Sequence, residues 1–281
     1  MSGTLFVVAT PIGNLEDITR RALRVLGEVK VVACEDTRRT RTLLTHFGLA
    51  TPTVSYHEHN ESSRAAELVA RLLDGESVAL VSDAGTPCIS DPGYRLVREA
   101  AAAGIDVIPI PGASAAVTAL SASGLATDTF LFVGFLPSKR SARKARLAEI
   151  AGVRETIVFY EAPHRIGAML EDLREAIGDR EISVARELTK LHEEFVRGSV
   201  SEVIGKLTAE RHRGEFVVVV EGASDRGVAS GDDAIPAGER VAALEAEGMS
   251  RMDAVKRVAK ERGLPKRVVY GEVVGDDSGE A

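Results

Sequence analysis

The chain has 281 residues, of which 44% are hydrophobic and 27% charged, and its formal net charge is −7. That length can bury an ordinary core in two domains, and the composition is that of a globular protein rather than a disordered one. The acidic balance argues against a general nucleic-acid binder, no apolar run approaches the roughly 20 residues that span a bilayer, and the two distant cysteines, Cys34 and Cys88, offer neither a disulfide framework nor a zinc pair.

The opening MSGTLFVVAT has no basic flank and no cleavage pattern, so it reads as a first strand and not as a secretory signal. A reducing cytoplasm fits that reading and the sparse cysteines. Short β-branched runs predict strands over 5–9, 29–34, 78–82 and 107–110, and between them apolar spacing predicts helices over 18–26, 39–47, 62–73 and 94–103. This alternation is the order of an α/β domain with a mostly parallel sheet, where ligands bind beyond the carboxyl ends of the strands. Four of the loops that leave those strands are unusual: ATPIGN at 9–14, CEDTR at 34–38, SDAGTPCISDPG at 82–93 and PIPGASAA at 109–116. The third holds two glycines, two prolines and two aspartates and no lysine or arginine, which does not suit a phosphate cradle.

From residue 129 the strands lengthen, as TFLFVGF, ETIVFYEA, EISVARE and EFVVVVEG, with helical stretches near 140–150, 164–176 and 200–210. A second α/β domain with a mixed sheet is expected there. Residues 221–238 are rich in Gly, Asp, Ser and Ala and read as a flexible linker. Beyond them ERVAALEAEG, SRMDAVKRVAKERG and LPKRVVYGEV give two or three short helices, with Ser250 placed to cap the second and Gly263 to end it. The pattern resembles a helix-turn-helix, with a small helical cap as the plainer alternative. Basic residues cluster at 137–146 and 251–270, either as sites that hold nucleic acid or as solvated helix faces.

The first strand is not followed by G-x-G-x-x-G, and neither a Walker A loop nor H-E-x-x-H occurs. On an extended chain His57 and His59 would share a face opposite Glu58, with Glu61 beyond, but two histidines are too few to fix a zinc. Loops without cations suit a ligand that is itself positive. S-adenosylmethionine is compatible, because its sulfonium is approached by neutral carbonyls and glycine turns let the backbone come close.

In order along the chain, ATPIGNLEDIT, CEDTR, YHEHNE, VSDAGTPCISDPG, PGASA, VGFLP, FYEAPHR and ARELTKLHEE closely resemble the tetrapyrrole methylase superfamily, in particular its ribosomal RNA 2'-O-ribose methyltransferase branch. The similarity runs over 4–224, and the tail from 236 resembles a helix-turn-helix appendage found on many members. The resemblance implies two α/β methylase domains, 1–118 and 119–224, a linker at 225–235 and a helical domain at 236–274. It further implies S-adenosylmethionine in the cleft between the α/β domains, a homodimer, no membrane association, and 16S ribosomal RNA or the small ribosomal subunit as partner, with a cytidine ribose of the decoding region as acceptor.

Carried over by position, the resemblance implicates Pro11, Ile12 and Gly13 in the first cofactor loop, and Gly85, Thr86 and Pro87 with Ile89 nearby in the second. Ser114 and Ala115 match the Pro-Gly-x-Ser/Thr-Ala loop, and Tyr160 and Glu161 the cofactor position of the second domain. Thr86 stands where the porphyrin-methylating relatives carry aspartate, which leaves open whether Asp83 holds the cofactor or pins its loop. A ribose hydroxyl needs its proton removed, and Glu35, Asp36, His57 and Glu61 are the candidate bases. Arg38, Arg165 and Lys190 are candidates for phosphate or base contacts, or else ordinary ion pairs. The alternatives are a tetrapyrrole methyltransferase, a non-catalytic ribosome-assembly protein, and a metal-dependent phosphohydrolase using Asp83 and Asp91.

Overall fold

The structure is a computed structural model that describes residues 2–207, 214–223, 236–261 and 265–276. The expected linker at 225–235 and the helix end at Gly263 lie outside the described residues. The chain divides into two compact units, the first spanning Met1–Ile150 and Glu155–Glu221, the second Ala151–Arg154 and Gly222–Ala281.

The first unit contains two five-stranded sheets. One is built from β1 (Leu5–Val8), β2 (Val31–Cys34), β3 (Thr53–Ser55), β4 (Val78–Val81) and β5 (Val107–Ile110), in the order β3-β2-β4-β1-β5. All four pairings are parallel. Side chains alternate across a strand, and the packing follows that period. Leu5, Val31, Ala33, Val78 and Leu80 meet α3 (Glu61–Leu73) and α4 (Tyr94–Ala102) on one face. Val8, Val32, Cys34, Ala79 and Val81 meet α1 (Arg20–Glu28) and α2 (Thr37–His46) on the other. Adjacent strands β1 and β4 therefore send their chains to opposite faces, which makes their carboxyl ends the switch point of the sheet.

The second sheet joins β6 (Phe130–Phe135), β7 (Thr156–Glu161), β8 (Glu181–Arg186), β9 (Glu194–Ser199) and β10 (Phe216–Val220) in the order β6-β7-β10-β8-β9. Only β6 and β7 run parallel; β10, wholly buried, is antiparallel to both β7 and β8. One face is covered by α5 (Ala115–Ser121), whose Ala116, Ala119 and Leu120 pack on Val158, Val217 and Val219. The remaining helices of this unit are α6 (Arg140–Ile150), α7 (Ile166–Ile177) and α8 (Val200–Lys206).

Three elements escape the sequence reading: β3, β9 and α5. β3 has three residues and α5 seven, too short for a period to show, while β9, with six, breaks its alternation at Arg197 and Gly198. The basic run 137–146 resolves into ion pairs. Arg140 and Arg143 both contact the fully buried Asp172, at 2.9 and 2.6 Å, while Lys144 pairs with Glu175 and Arg146 with Glu149. Arg140, Arg143 and Lys144 thus tie α6 to α7.

In the second unit α9 (Ala237–Ala246), α10 (Arg251–Glu261) and α11 (Lys266–Asp276) share one core of Val241, Leu244, Val255, Val258 and Val269. The Ser250 hydroxyl accepts from Asp253 N at 3.3 Å, the cap expected of it. No described helix is long and apolar enough to cross a membrane.

Removing one partner of a buried ion pair strands the other charge. Asp172→Ala should lower unfolding stability by about 3–5 kcal/mol, read from the urea midpoint, whereas the paired Asp172→Leu, Arg143→Met variant should lie much nearer the parent.

Candidate active site

Beyond β1 and β4 the backbones remain joined. Thr10 N donates to Gly85 O at 2.9 Å and Gly85 N to Thr10 O at 3.0 Å. Thr86 Oγ1 then donates to Ala113 O at 3.1 Å, tying in the loop after β5. On the other side Asp83 Oδ1 accepts from Asp36 N at 3.0 Å and Oδ2 lies 3.2 Å from Arg39 Nη1. All five strands of the parallel sheet thus empty into one cluster of loops, YHEHNE after β3 included.

The loop SDAGTPCISDPG is strained. Gly85 and Gly93 have φ of +79° and +141°, and the non-glycine residues Cys88 and Ser90 have φ of +70° and +64°. At Gly93 a Cβ would lie 2.6 Å from Cys88 Sγ and 2.8 Å from Leu80 Cδ2. Its nitrogen donates to Glu61 Oε1 at 3.3 Å. Left-handed residues with side chains are held only where surrounding contacts over-determine them.

A cavity of about 370 Å³ lies between the loops of the first sheet and the edge of the second. It is lined by Ile12, Asp83, Gly85, Thr86, Ile89, Ser114, Ala115, Tyr160 and Glu161 of the expected cofactor residues. Pro11 and Gly13 instead face an adjoining depression with Lys190, and Pro87 is buried and lines neither. Ile12 inserts into the core of the second sheet beside Leu188. Gly13 lies under Lys190, whose Cγ would be 2.5 Å from a Cβ there. Tyr160 OH accepts from Ala116 N at 3.1 Å, which ties β7 to the start of α5 on the far wall.

The cavity wall carries one unsatisfied charge-bearing atom. Glu161 Oε1 accepts from Ala162 N at 2.8 Å and faces Arg165 Nε at 3.1 Å, but Oε2 is buried and has no partner. Burial pushes this carboxyl up, against the pull of Ala162 N and Arg165. A buried carboxylate oxygen without a partner is costly, and a cationic amine in the cavity would satisfy it. Thus this acceptor suits the α-ammonium of S-adenosylmethionine, and the cation among the lining residues, Arg39, is paired with Asp83.

The expected bases fall differently. Glu35, Asp36 and His57 line none of the three cavities described, and Glu61 lines a separate one. Asp36 caps α2, accepting from Arg38 N at 2.8 Å, and is gripped by the Arg38 guanidinium, which with that N–H holds it down to about 2. Such a group is a weak base. Residues 57–60 form a turn, not an extended strand, so the alternation expected of His57 and His59 fails; their rings pack edge to face at 5.9 Å. Asn60 Oδ1 accepts from His57 N at 2.9 Å. Glu61 Oε1 accepts from Tyr56 OH at 3.0 Å as well as from Gly93 N. Burial first, then Asp83 and Glu58, raise Glu35. Arg165 and Lys190 are engaged at home, the first with Glu161 and Leu136 O, the second with Glu187 and Glu215.

Sequence reasoning did not propose Asp91 as a base. It lines the cofactor-sized cavity and the neighbouring pocket that Glu61 faces. Burial first, then the charges of Glu35 and Asp83, push it up to about 6, while Ser82 pulls the other way.

A family model described as tetrapyrrole (corrin/porphyrin) methylases matches residues 4–204. The ribosomal RNA small subunit methyltransferase I of Halalkalibacterium halodurans is 48% identical over 271 residues, covering 95% of this chain and 93% of its own. That of Bacillus subtilis is 46% identical with the same coverages. Among solved structures, uroporphyrin-III C-methyltransferase from Thermus thermophilus complexed with S-adenosylhomocysteine aligns over 77% of this chain and 97% of its own with a TM-score of 0.55. At 20% identity that likeness speaks for the fold.

Gly93→Ala should lower stability by at least about 2 kcal/mol, combining left-handed strain with overpacking. Gly104→Ala, with φ +72° but nothing within 4 Å of its Cβ, should lose only the strain, about 1–2 kcal/mol. Equal urea midpoints for the two variants would remove the close contact from the account.

Proposed function

The chain belongs to the tetrapyrrole methylase family, and from that premise we propose that it is an S-adenosylmethionine-dependent methyltransferase of small-subunit ribosomal RNA, transferring a methyl group to the ribose 2'-oxygen of a cytidine in the decoding region of 16S RNA. Two relatives named for that RNA, 46–48% identical over nearly the whole chain, support the RNA as substrate. The observation that carries the cofactor is Glu161 Oε2, a buried acceptor without a partner on the wall of the cavity.

When bound, S-adenosylmethionine supplies a methyl group on a cationic sulfur. The chain's own residues bind and orient. Glu161 receives the α-ammonium; Thr86 and Ser114 offer hydroxyls, and Ile12, Ala115 and Leu188 give the cavity its apolar surface. Asp83 pins the loop through Asp36 N and Arg39, and its place on the cavity wall is secondary to that. Since the loops are fixed before any ligand arrives, most of the acceleration is assigned to alignment of the reactants. Assembly as a homodimer and a cytoplasmic location belong to the same proposal.

Two experiments test this reading. Labelled cofactor and small subunits from a strain lacking the activity should yield a 2'-O-methylated cytidine in the decoding region; label on a base, or on no RNA, defeats the function. In calorimetry Glu161→Gln should weaken S-adenosylmethionine binding about ten- to hundredfold. Because the acceptor must be ionised and its pKa is raised, wild-type affinity should also fall as the pH is lowered, and the variant's should not.

A further inference from the structure

The cofactor-sized cavity has a neighbour of about 520 Å³ that no comparison assigns. Ser90 and Asp91 line both. The rest of its wall comes from the YHEHNE turn and from the first turns of α4, including Glu58, Tyr94, Arg95 and Arg98. Tyr94 is 67% exposed, a large apolar ring left in solvent, and Arg98 lies 5.7 Å from its centroid. Arg95 Nη1 donates to Ser62 Oγ at 3.1 Å. Among the described residues neither arginine is ion-paired to a carboxylate, whereas Arg64 and Arg71 on the neighbouring α3 both are.

We propose that this pocket receives the acceptor nucleotide, with its base against Tyr94 and a flanking phosphate on Arg95 and Arg98, and that Asp91 on the shared wall takes the proton of the acceptor hydroxyl. The inference rests on the methyltransferase reading above. An exposed aromatic ring beside guanidinium groups is what holds an unstacked nucleotide. Glu58 on the same wall accepts hydrogen bonds, and an exocyclic amino group is the donor that cytosine presents. As the 2'-oxygen bonds to the methyl carbon, the carbon–sulfur bond breaks with its electron pair left on sulfur. The hydroxyl proton passes to the Asp91 carboxylate and from there to water.

Asp91 is the carboxylate best placed to do this. Ser90 in a left-handed conformation precedes it, and Pro92 and the sterically confined Gly93 follow, so its position is set by the backbone. Asp36, Asp83 and Glu61 are each already bonded to backbone N–H groups. The groups that face Asp91 are Glu35 after β2, Asp83 and Ser82 after β4, Cys88 within the loop and Tyr160 of β7, with Glu61, Arg95 and Arg98 around the pocket. A carboxyl raised to about 6 by burial and its acidic neighbours is ionised at neutral pH and is a better base than an ordinary aspartate.

The test uses the full chain with Asp91→Asn, Tyr94→Ala and Arg95→Ala/Arg98→Ala. For Asp91→Asn, S-adenosylmethionine affinity by calorimetry should stay within about twofold while single-turnover methylation of small subunits falls by about 10²–10⁴-fold. Wild-type turnover should decline as pH drops through about 6, and the residual turnover of the variant should lose that inflection. Since the raised pKa makes ionised Asp91 a destabilising group above pH 6, the variant's melting temperature at pH 7.5 should be equal or higher. Tyr94→Ala and the double arginine variant should raise KM for subunits about tenfold or more, with little change in kcat. Asp91→Asn with wild-type rate and pH profile sinks the base, and unchanged KM in both pocket variants sinks the acceptor site. Wild-type protein that binds S-adenosylmethionine but methylates no ribosomal RNA would instead defeat the function on which the inference stands.

Discussion

Two backbone hydrogen bonds between Thr10 and Gly85 hold the site together. A parallel sheet aligns all its carboxyl ends on one edge, but alignment leaves the outgoing loops free to splay. Here the adjacent strands β1 and β4, whose connections leave on opposite faces, are rejoined beyond their ends by an isolated antiparallel bridge. That bridge closes the crevice at the switch point into a floor and gives the neighbouring loops something to build on. Ile12 is carried across into the second sheet's core, and Thr86 reaches Ala113. Asp83 is left facing α2, where it takes Asp36 N and Arg39. The cavity owes its shape to this chain of contacts, and a cofactor entering it meets a wall already made.

The second consequence is electrostatic. The loops after β2, β3 and β4 bring Glu35, Glu58, Glu61, Asp83 and Asp91 to one edge, and that edge is largely free of cations except where Arg38 and Arg39 bind Asp36 and Asp83. Burial first, and then like charges close by, disfavour ionisation, and so Glu35 and Asp91 are raised while Asp36, held by a guanidinium, is lowered. Carboxylates that look alike in sequence are thereby divided into structural anchors and groups still able to accept a proton. A positively charged methyl donor is tolerated by such an edge; a phosphate is not, unless arginines supply the opposite charge, and Arg95 and Arg98 are the ones placed to do so.

Much of this was legible before any coordinates. The strands after which the unusual loops begin are runs of β-branched residues, and glycine and proline mark where the chain turns away. The mixed second sheet and the cap at Ser250 also follow from pattern. What the pattern could not show is where a side chain is held. Asp36 reads as a base candidate because CEDTR leaves a strand, yet its neighbour Arg38 and the start of α2 consume it. His57 and His59 read as one face of an extended chain, but Asn60 folds that segment into a turn. The strand β3 that delivers them is only three residues, none fully buried. The basic run at 137–146 carries no sequence mark of Asp172, which lies 29 residues beyond Arg143 and 32 beyond Arg140 on another helix.

Asp91 was missed for a related reason. In sequence it is one of two aspartates in a loop of twelve, and nothing in its spacing from Asp83 distinguishes an anchor from a base. The distinction comes from the backbone. The left-handed Cys88 and Ser90 in that loop, which carry side chains, are a local weakness that no packing argument alone would favour. They are intelligible if they serve to turn Asp91 toward both cavities, whereas Asp83, which also lines the cofactor-sized one, is held by Asp36 N and Arg39. Strain in the loop and burial of the carboxylate act in the same direction, since each destabilises the fold at the place where the acceptor's proton must go. That is the form a stability and function trade takes: a side chain at Gly93 would meet Cys88 and Leu80, whereas ionised Asp91 is itself a cost to the fold, so chemistry rather than packing accounts for a carboxylate there.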